Sequence, residues 1–201
     1  MRSSSRSAFA ASVLGALSFV CLGLACAPAV PNITVRSPGA IAAVPDAVTV
    51  VIVQPQTRLR SVAIIDGRGQ LVGQLDERSH TVIRLPEGPT VLYAVLENRA
   101  ETADRLEGTL VAGRLYYATV SSRPGGVALL ALNPRSPDGR WSHKGEYLAA
   151  TPRVQMDSQL ITRAMNELGD ATAIVHAADA YVDSLDAVPR AEHEIQESDG
   201  L

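Results

Sequence analysis

The chain has 201 residues, a formal net charge of −3, two cysteines and one tryptophan. That length suits one domain with attachments and suffices to bury a real core, while the mild acidity leaves no electrostatic footprint for nucleic acid. Lys144 is the only Lys among eighteen basic residues, so an Arg is no functional signal merely for being Arg.

Met1 to Arg6 opens with positive charge, Ala8 to Ala25 runs without a charge, and Cys26 closes the run. A basic n-region, an apolar h-region and small residues at a cut are the layout of an export signal. Leu22-Gly23-Leu24-Ala25-Cys26 resembles a bacterial lipobox, with Gly23 where that pattern prefers Leu, Val or Ile. Three fates are open. In the leading one, a lipoprotein signal peptidase cuts before an acylated Cys26. In the second, ordinary signal peptidase cuts at Ala25-Cys26-Ala27 or Ala27-Pro28-Ala29 and releases the protein to the periplasm or beyond. In the third, the uncharged stretch from Ser7 to Val35 stays as an anchor, being longer than the roughly 20 residues that span a bilayer. In the leading fate Cys21 would leave with residues 1–25, and Cys26 would carry lipid. The remaining 176 residues have a net charge of −5 and no other thiol, which excludes disulfides within the body and cysteine-built zinc sites. The lipobox resemblance implies three acyl chains, palmitate among them, and two or more chains hold a protein durably.

Residues 26–47 read as a tether, because prolines at 28, 31, 38 and 45 favour extended backbone. Asn32-Ile33-Thr34 matches a glycosylation acceptor, a chance match beside a bacterial signal. Strands follow over 48–135. Val48 to Val53 is β-branched throughout, and Val62 to Ile65 leads into the turn Asp66-Gly67-Arg68-Gly69. Leu71 to Leu75 returns, with Leu71, Gly73 and Leu75 on one face. Thr81 to Leu85 alternates, and Pro86-Glu87-Gly88-Pro89 turns the chain. Val91 to Leu96 is apolar on both faces and so central. Arg105 to Leu110 places Leu106 and Leu110 inward, Leu115 to Val120 is aromatic and β-branched, and Val127 to Leu132 is the last strand expected. Val50, Ile64, Leu85, Leu92, Leu115 and Leu130 are the expected core. Turns recurring about every ten residues predict a small antiparallel β-sandwich.

Val62-Ala63-Ile64-Ile65-Asp66-Gly67, Leu71-Val72-Gly73, Leu85-Pro86-Glu87-Gly88 and Leu92-Tyr93-Ala94-Val95 together resemble the PEGA-type domain. Ala112-Gly113-Arg114-Leu115-Tyr116-Tyr117 is similar to a strand found in bacterial lipoproteins of unknown function. The resemblance covers roughly residues 48–132. It implies an Ig-like or PEGA-like antiparallel sandwich and an envelope display or interaction role, with no shared catalytic residues.

Residues 136–153 form a polar connecting segment holding Arg140, Trp141, His143 and Lys144. A helical extension is expected over 154–187, starting near Gln155. Ile161, Ala164, Leu168, Ala171, Val175, Ala178, Val182 and Leu185 recur at three- and four-residue steps. Gly169-Asp170 interrupts this seam, so one helix or two is open; a single helix would run about 45 Å. Residues 188–201 read as an acidic disordered tail.

Few constellations carry chemistry. His176, Asp179 and Asp183 share a helical face but lack a fourth ligand, so a solvated face explains them better than a metal. Arg140, Trp141 and His143 are candidates for a binding loop, although Trp141 filling a gap between helix and sandwich is the simpler reading. No G-x-S-x-G elbow sets up a nucleophile. Asp66 to Gly69 is explained by its turn rather than by phosphate. No cofactor and no catalytic residue is expected. The leading function is a non-enzymatic interaction or structural module, lipid-anchored through Cys26, at the outer membrane rather than the inner. The seam mates by default with the chain's own sandwich; another copy, or a protein partner at Leu168, Val175 and Val182, is the alternative. The runner-up is a binding protein for a small envelope ligand in a helix–sheet groove involving Trp141. A hydrolase with an unrecognised site comes third.

Overall fold

The computed structural model describes residues 34–37, 39–134 and 139–201. The signal segment, Cys26 and the first part of the tether lie outside the described residues. The chain is mainly β and forms two mixed sheets. The first has six strands: β1 (Thr34–Arg36), β10 (Arg153–Met156), β5 (Ser79–Leu85), β2 (Val48–Gln54), β8 (Leu115–Arg123) and β9 (Gly126–Ala131), in that spatial order. The second has five: β11 (Glu194–Ile195), β7 (Asp104–Leu110), β6 (Gly88–Leu96), β3 (Val62–Asp66) and β4 (Leu71–Leu75).

The antiparallel expectation is corrected. β2 runs parallel to β8, β10 to β5, and β11 to β7. A parallel pair needs a long connection, and the chain between β2 and β8 supplies one by building most of the second sheet on the way. The main core draws on both sheets: Val50, Ile52, Tyr116 and Leu129 from the first, Ile64, Leu92, Leu106 and Ile195 from the second. β2 is buried at all seven positions. It is central in its sheet, and its outward Val51 is covered by Tyr117 and Leu132. Runs apolar on both faces belong in such positions. β6, expected to be central, lies between β7 and β3.

Two faces differ from the expected pattern. Leu115 is only half-buried, on the outer side of its sheet, and Tyr116, Ala118 and Val120 fill the core. A period-2 strand with apolar residues at both parities leaves the inward set undecided until a partner is known. Leu71 joins the outer face of the second sheet rather than the side of Leu75. The β3–β4 register skips there: Gly73 lies opposite Ile64 and Leu71 opposite Ile65, leaving Val72 extra. One inserted residue reverses the faces beyond it. The Asp66 turn itself forms as expected. The Asp66 carboxylate accepts from the backbone N–H groups of Arg68 and Gln70, and Gly69 takes the left-handed φ of 74°.

Three segments correct the expected organisation. Part of the tether is the edge strand β1, antiparallel to β10. Gln155 lies in β10, not at a helix start, because the edge of β5 offers backbone partners. The helical extension begins later and is two helices, α2 (Ile161–Leu168) and α3 (Ala171–Asp183), after a short α1 (Lys144–Ala150) within the polar segment. Between α2 and α3, Gly169 adopts φ 79°, and the Asp170 side chain caps α3 by accepting from the N–H groups of Thr172 and Ala173. The last fourteen residues are not disordered. They contain part of α4 (Ala187–Ala191), β11 and a 3-10 turn, with His193, Ile195 and Asp199 buried.

Candidate functional site

α2 and α3 rest on the outer face of the five-stranded sheet. Ala164, Leu168, Ile174 and Ala178 pack there against Ala63, Ile65, Leu71, Tyr93 and Val95. Of the seam residues singled out for a partner, Leu168 and Val182 are buried and Val175 is half-buried. After the break at Gly169, Ile174 is buried in place of Val175, while Ala178 and Val182 of the expected seam stay buried.

Trp141 lies on the opposite side of the molecule, against the outer face of the six-stranded sheet. It is half-buried beside Tyr117 with ring centroids 6.0 Å apart, edge to face. The Lys144 ammonium stands 3.7 Å from the Trp141 centroid and 4.4 Å from that of Tyr117, a cation–π pairing in which burial pushes the amine down from its usual range. Trp141 therefore fills a gap between a helix and a sheet, but the helix is α1. The expected groove between the long helices and Trp141 does not form, since the two lie on opposite sheets. Arg140 pairs with Glu192 of the C-terminal segment at 2.8 Å. His143 is exposed and faces Glu146 on its own turn at 3.1 Å. The structure thus separates the three expected binding residues into a tail anchor, an aromatic plug and a local surface pair.

The helical face of His176, Asp179 and Asp183 is claimed by an arginine. Arg105 reaches across from β7 to Asp179 at 3.0 Å and Asp183 at 3.1 Å, while His176 stays exposed. The Tyr93 hydroxyl donates to Asp179 at 3.3 Å, and burial together with that carboxylate pushes the phenol up to about 12. Among the described residues no group of three or more His, Cys, Asp or Glu is arranged to hold a metal.

The polar centre that sequence reasoning missed joins the two sheets. Asp104 is fully buried at the start of β7, and His193 is 4 % exposed in the C-terminal segment. His193 Nδ1 lies 2.9 Å from the Arg105 carbonyl oxygen and 3.4 Å from Asp104 Oδ2. The Asp104 carboxylate accepts from the N–H of Leu129 on β9 and from that of Arg105. Burial pushes its pKa up, against the pull of His193 and the two N–H donors. Beyond His193, the Tyr181 ring stands nearly perpendicular to the imidazole with ring centroids 6.5 Å apart, and the Arg123 guanidinium stacks 3.6 Å from the Tyr181 centroid. One signal was available: Asp104 shares the inward parity of Leu106 and Leu110. A buried acid beside an imidazole has the elements of proton transfer, but here both are enclosed and hold two sheets and the tail together.

No family model, curated protein or solved structure matches the chain. Among the described residues no helix is long and apolar enough to cross a membrane.

Proposed function

We propose that this is a lipid-anchored bacterial envelope protein, a non-catalytic interaction or structural module built on a PEGA-like β-sandwich. The observation that carries the reading is the export-type N-terminus ending at Cys26, about eight residues before the edge strand β1. An extended residue spans about 3.3–3.6 Å, so the anchor would hold the body within roughly 30 Å of the bilayer. Two features support display rather than turnover. The Asp104–His193 pair is sealed from any substrate, and the aromatic face of Trp141 and Tyr117 is occupied by the chain's own Lys144. The helical seam is covered by the chain's own sheet at Leu168, and Val182 is buried too, which leaves the end loops as surfaces for partners.

The test is metabolic labelling with a tagged fatty acid. Label should enter the wild type and not Cys26→Ser, and fractionation should find wild type in the membrane and the variant released. Equal labelling of both would defeat the anchored reading. Cross-linking in intact envelopes, followed by mass spectrometry, identifies the partner.

A further inference from the structure

We infer that the cleft between the β2–β3 loop and the β4–β5 turn is a binding site for a phosphate-type oxyanion. The cleft has a volume of about 450 Å³ and is lined by Pro55, Gln56, Thr57, Arg58, Arg78 and Ser122. Among the described residues its lining includes two arginines and no acidic residue, on a chain whose net charge is negative. The arrangement is held together by hydrogen bonds. The backbone N–H of Arg78 donates to the Gln56 carbonyl at 3.2 Å, tying the two walls. The Gln56 side-chain oxygen accepts from both the N–H and the hydroxyl of Ser122 on β8. A backbone N–H is only ever a donor, so the oxygen, not the amide nitrogen, must face Ser122. The Gln56 NH₂ is left as a further donor at the cleft, with no partner among the described residues.

The acids nearest in sequence are engaged elsewhere. Glu77 pairs with Arg60 at 2.8 Å, and the Thr34 hydroxyl donates to Asp76. Neither Arg58 nor Arg78 has a carboxylate within ion-pair distance among the described residues. Arg78 also holds a left-handed φ of 49° in the turn between β4 and β5. Two planar guanidinium forks with no carboxylate beside them match the oxygens of a phosphate monoester or diester. That chemistry occurs both in free phosphate esters and in anionic lipid headgroups. The cleft does not involve Cys26, so failure of lipidation would leave this inference standing.

The test uses the full chain in a zwitterionic detergent, observed through the arginine Nε–H resonances. One arm adds inorganic phosphate or glycerol 3-phosphate; the other adds phosphatidylglycerol to the micelles. The resonances of Arg58 and Arg78 should move together and saturate. Saturation in the first arm identifies a free phosphate ligand, and saturation only in the second identifies a headgroup; either supports the site. Arg58→Gln with Arg78→Gln should weaken binding about tenfold or more, with thermal melting unchanged because both side chains are exposed. Arg68→Gln with Arg84→Gln removes equal charge elsewhere and should leave binding intact. No saturable shift in either arm, equal binding by the double variant, or equal loss in the control pair would overturn the assignment.

Discussion

The Asp104 carboxylate accepts a hydrogen bond from the backbone N–H of Leu129 at 2.6 Å, so a side chain from one sheet supplies the acceptor that an edge strand of the other lacks. Among the described residues β9 has no strand on its far side. Its exposed backbone is answered piecemeal: Leu129 by Asp104, Ala131 by the Glu192 carbonyl, and the Val127 carbonyl by Arg123. Edges left open invite pairing with other chains, and this one is closed from within.

Asp104→Ala should therefore destabilise the fold by about 3–5 kcal/mol, since it strands a buried N–H and removes the partner facing His193. Asp104→Asn should lose less, because one amide oxygen can still accept. Urea midpoints of the three proteins provide the measurement, and a midpoint unchanged in Asp104→Ala would show the bond to be dispensable.

His80 should make stability fall in mild acid. It is buried, with Nδ1 2.9 Å from the Thr151 hydroxyl oxygen, and burial lowers its pKa from 6.5. The unfolded chain then binds a proton near pH 6.5 that the folded chain takes up only at lower pH. Stability from this residue is complete above the unfolded value and is lost as pH falls through the window below it. The loss in thermal midpoint between pH 7 and pH 5 should be smaller in His80→Gln than in wild type. Equal losses would assign the acid sensitivity to other groups.

Ile174→Ala and Leu168→Ala should each cost about 2–5 kcal/mol, whereas the half-buried Val175→Ala should cost clearly less. Sedimentation should be the same for all three. A seam that served a partner instead would reverse the pattern, with melting preserved and association lost.

Gly108→Ala should detach the C-terminal segment. A Cβ at this position would collide with the Ile195 backbone carbonyl, because β11 lies directly beside it on β7. The Glu107 N–H, which donates to the His193 carbonyl at 2.9 Å, should lose its protection from hydrogen exchange. Cleavage of the last ten residues by a nonspecific protease should accelerate. Unaltered exchange at Glu107 would mean that the strand can shift to make room.

Much of the first half was legible because its signals are local. Asp66 to Gly69 specifies its turn by a carboxylate two residues from the N–H it binds and a glycine that tolerates positive φ. Val48 to Val53 declares a strand by β-branching, and Gly169-Asp170 carries both a helix stop and the next helix cap. Patterning also placed Val50, Ile64, Leu85 and Leu92 inside. For the candidate sites, the residue types near Trp141 drew notice, but their roles depended on neighbours far along the chain: Tyr117 for Trp141, Glu192 for Arg140.

The sequence by itself determined where the strands between residues 48 and 132 form, where they turn, and which chemistries lack the residues to exist, since propensity, turn geometry and ligand type are properties of a few adjacent residues. Only the tertiary structure decided that β2 and β8 run parallel, that Tyr116 rather than Leu115 faces the core, and that an acidic tail contributes a short strand to the second sheet. Each of those outcomes depends on what lies opposite. A strand edge rewards any backbone that reaches it, whatever its composition, and Glu194-Ile195 pairs with β7 because His193 is held beside Asp104 and Gly108 leaves room.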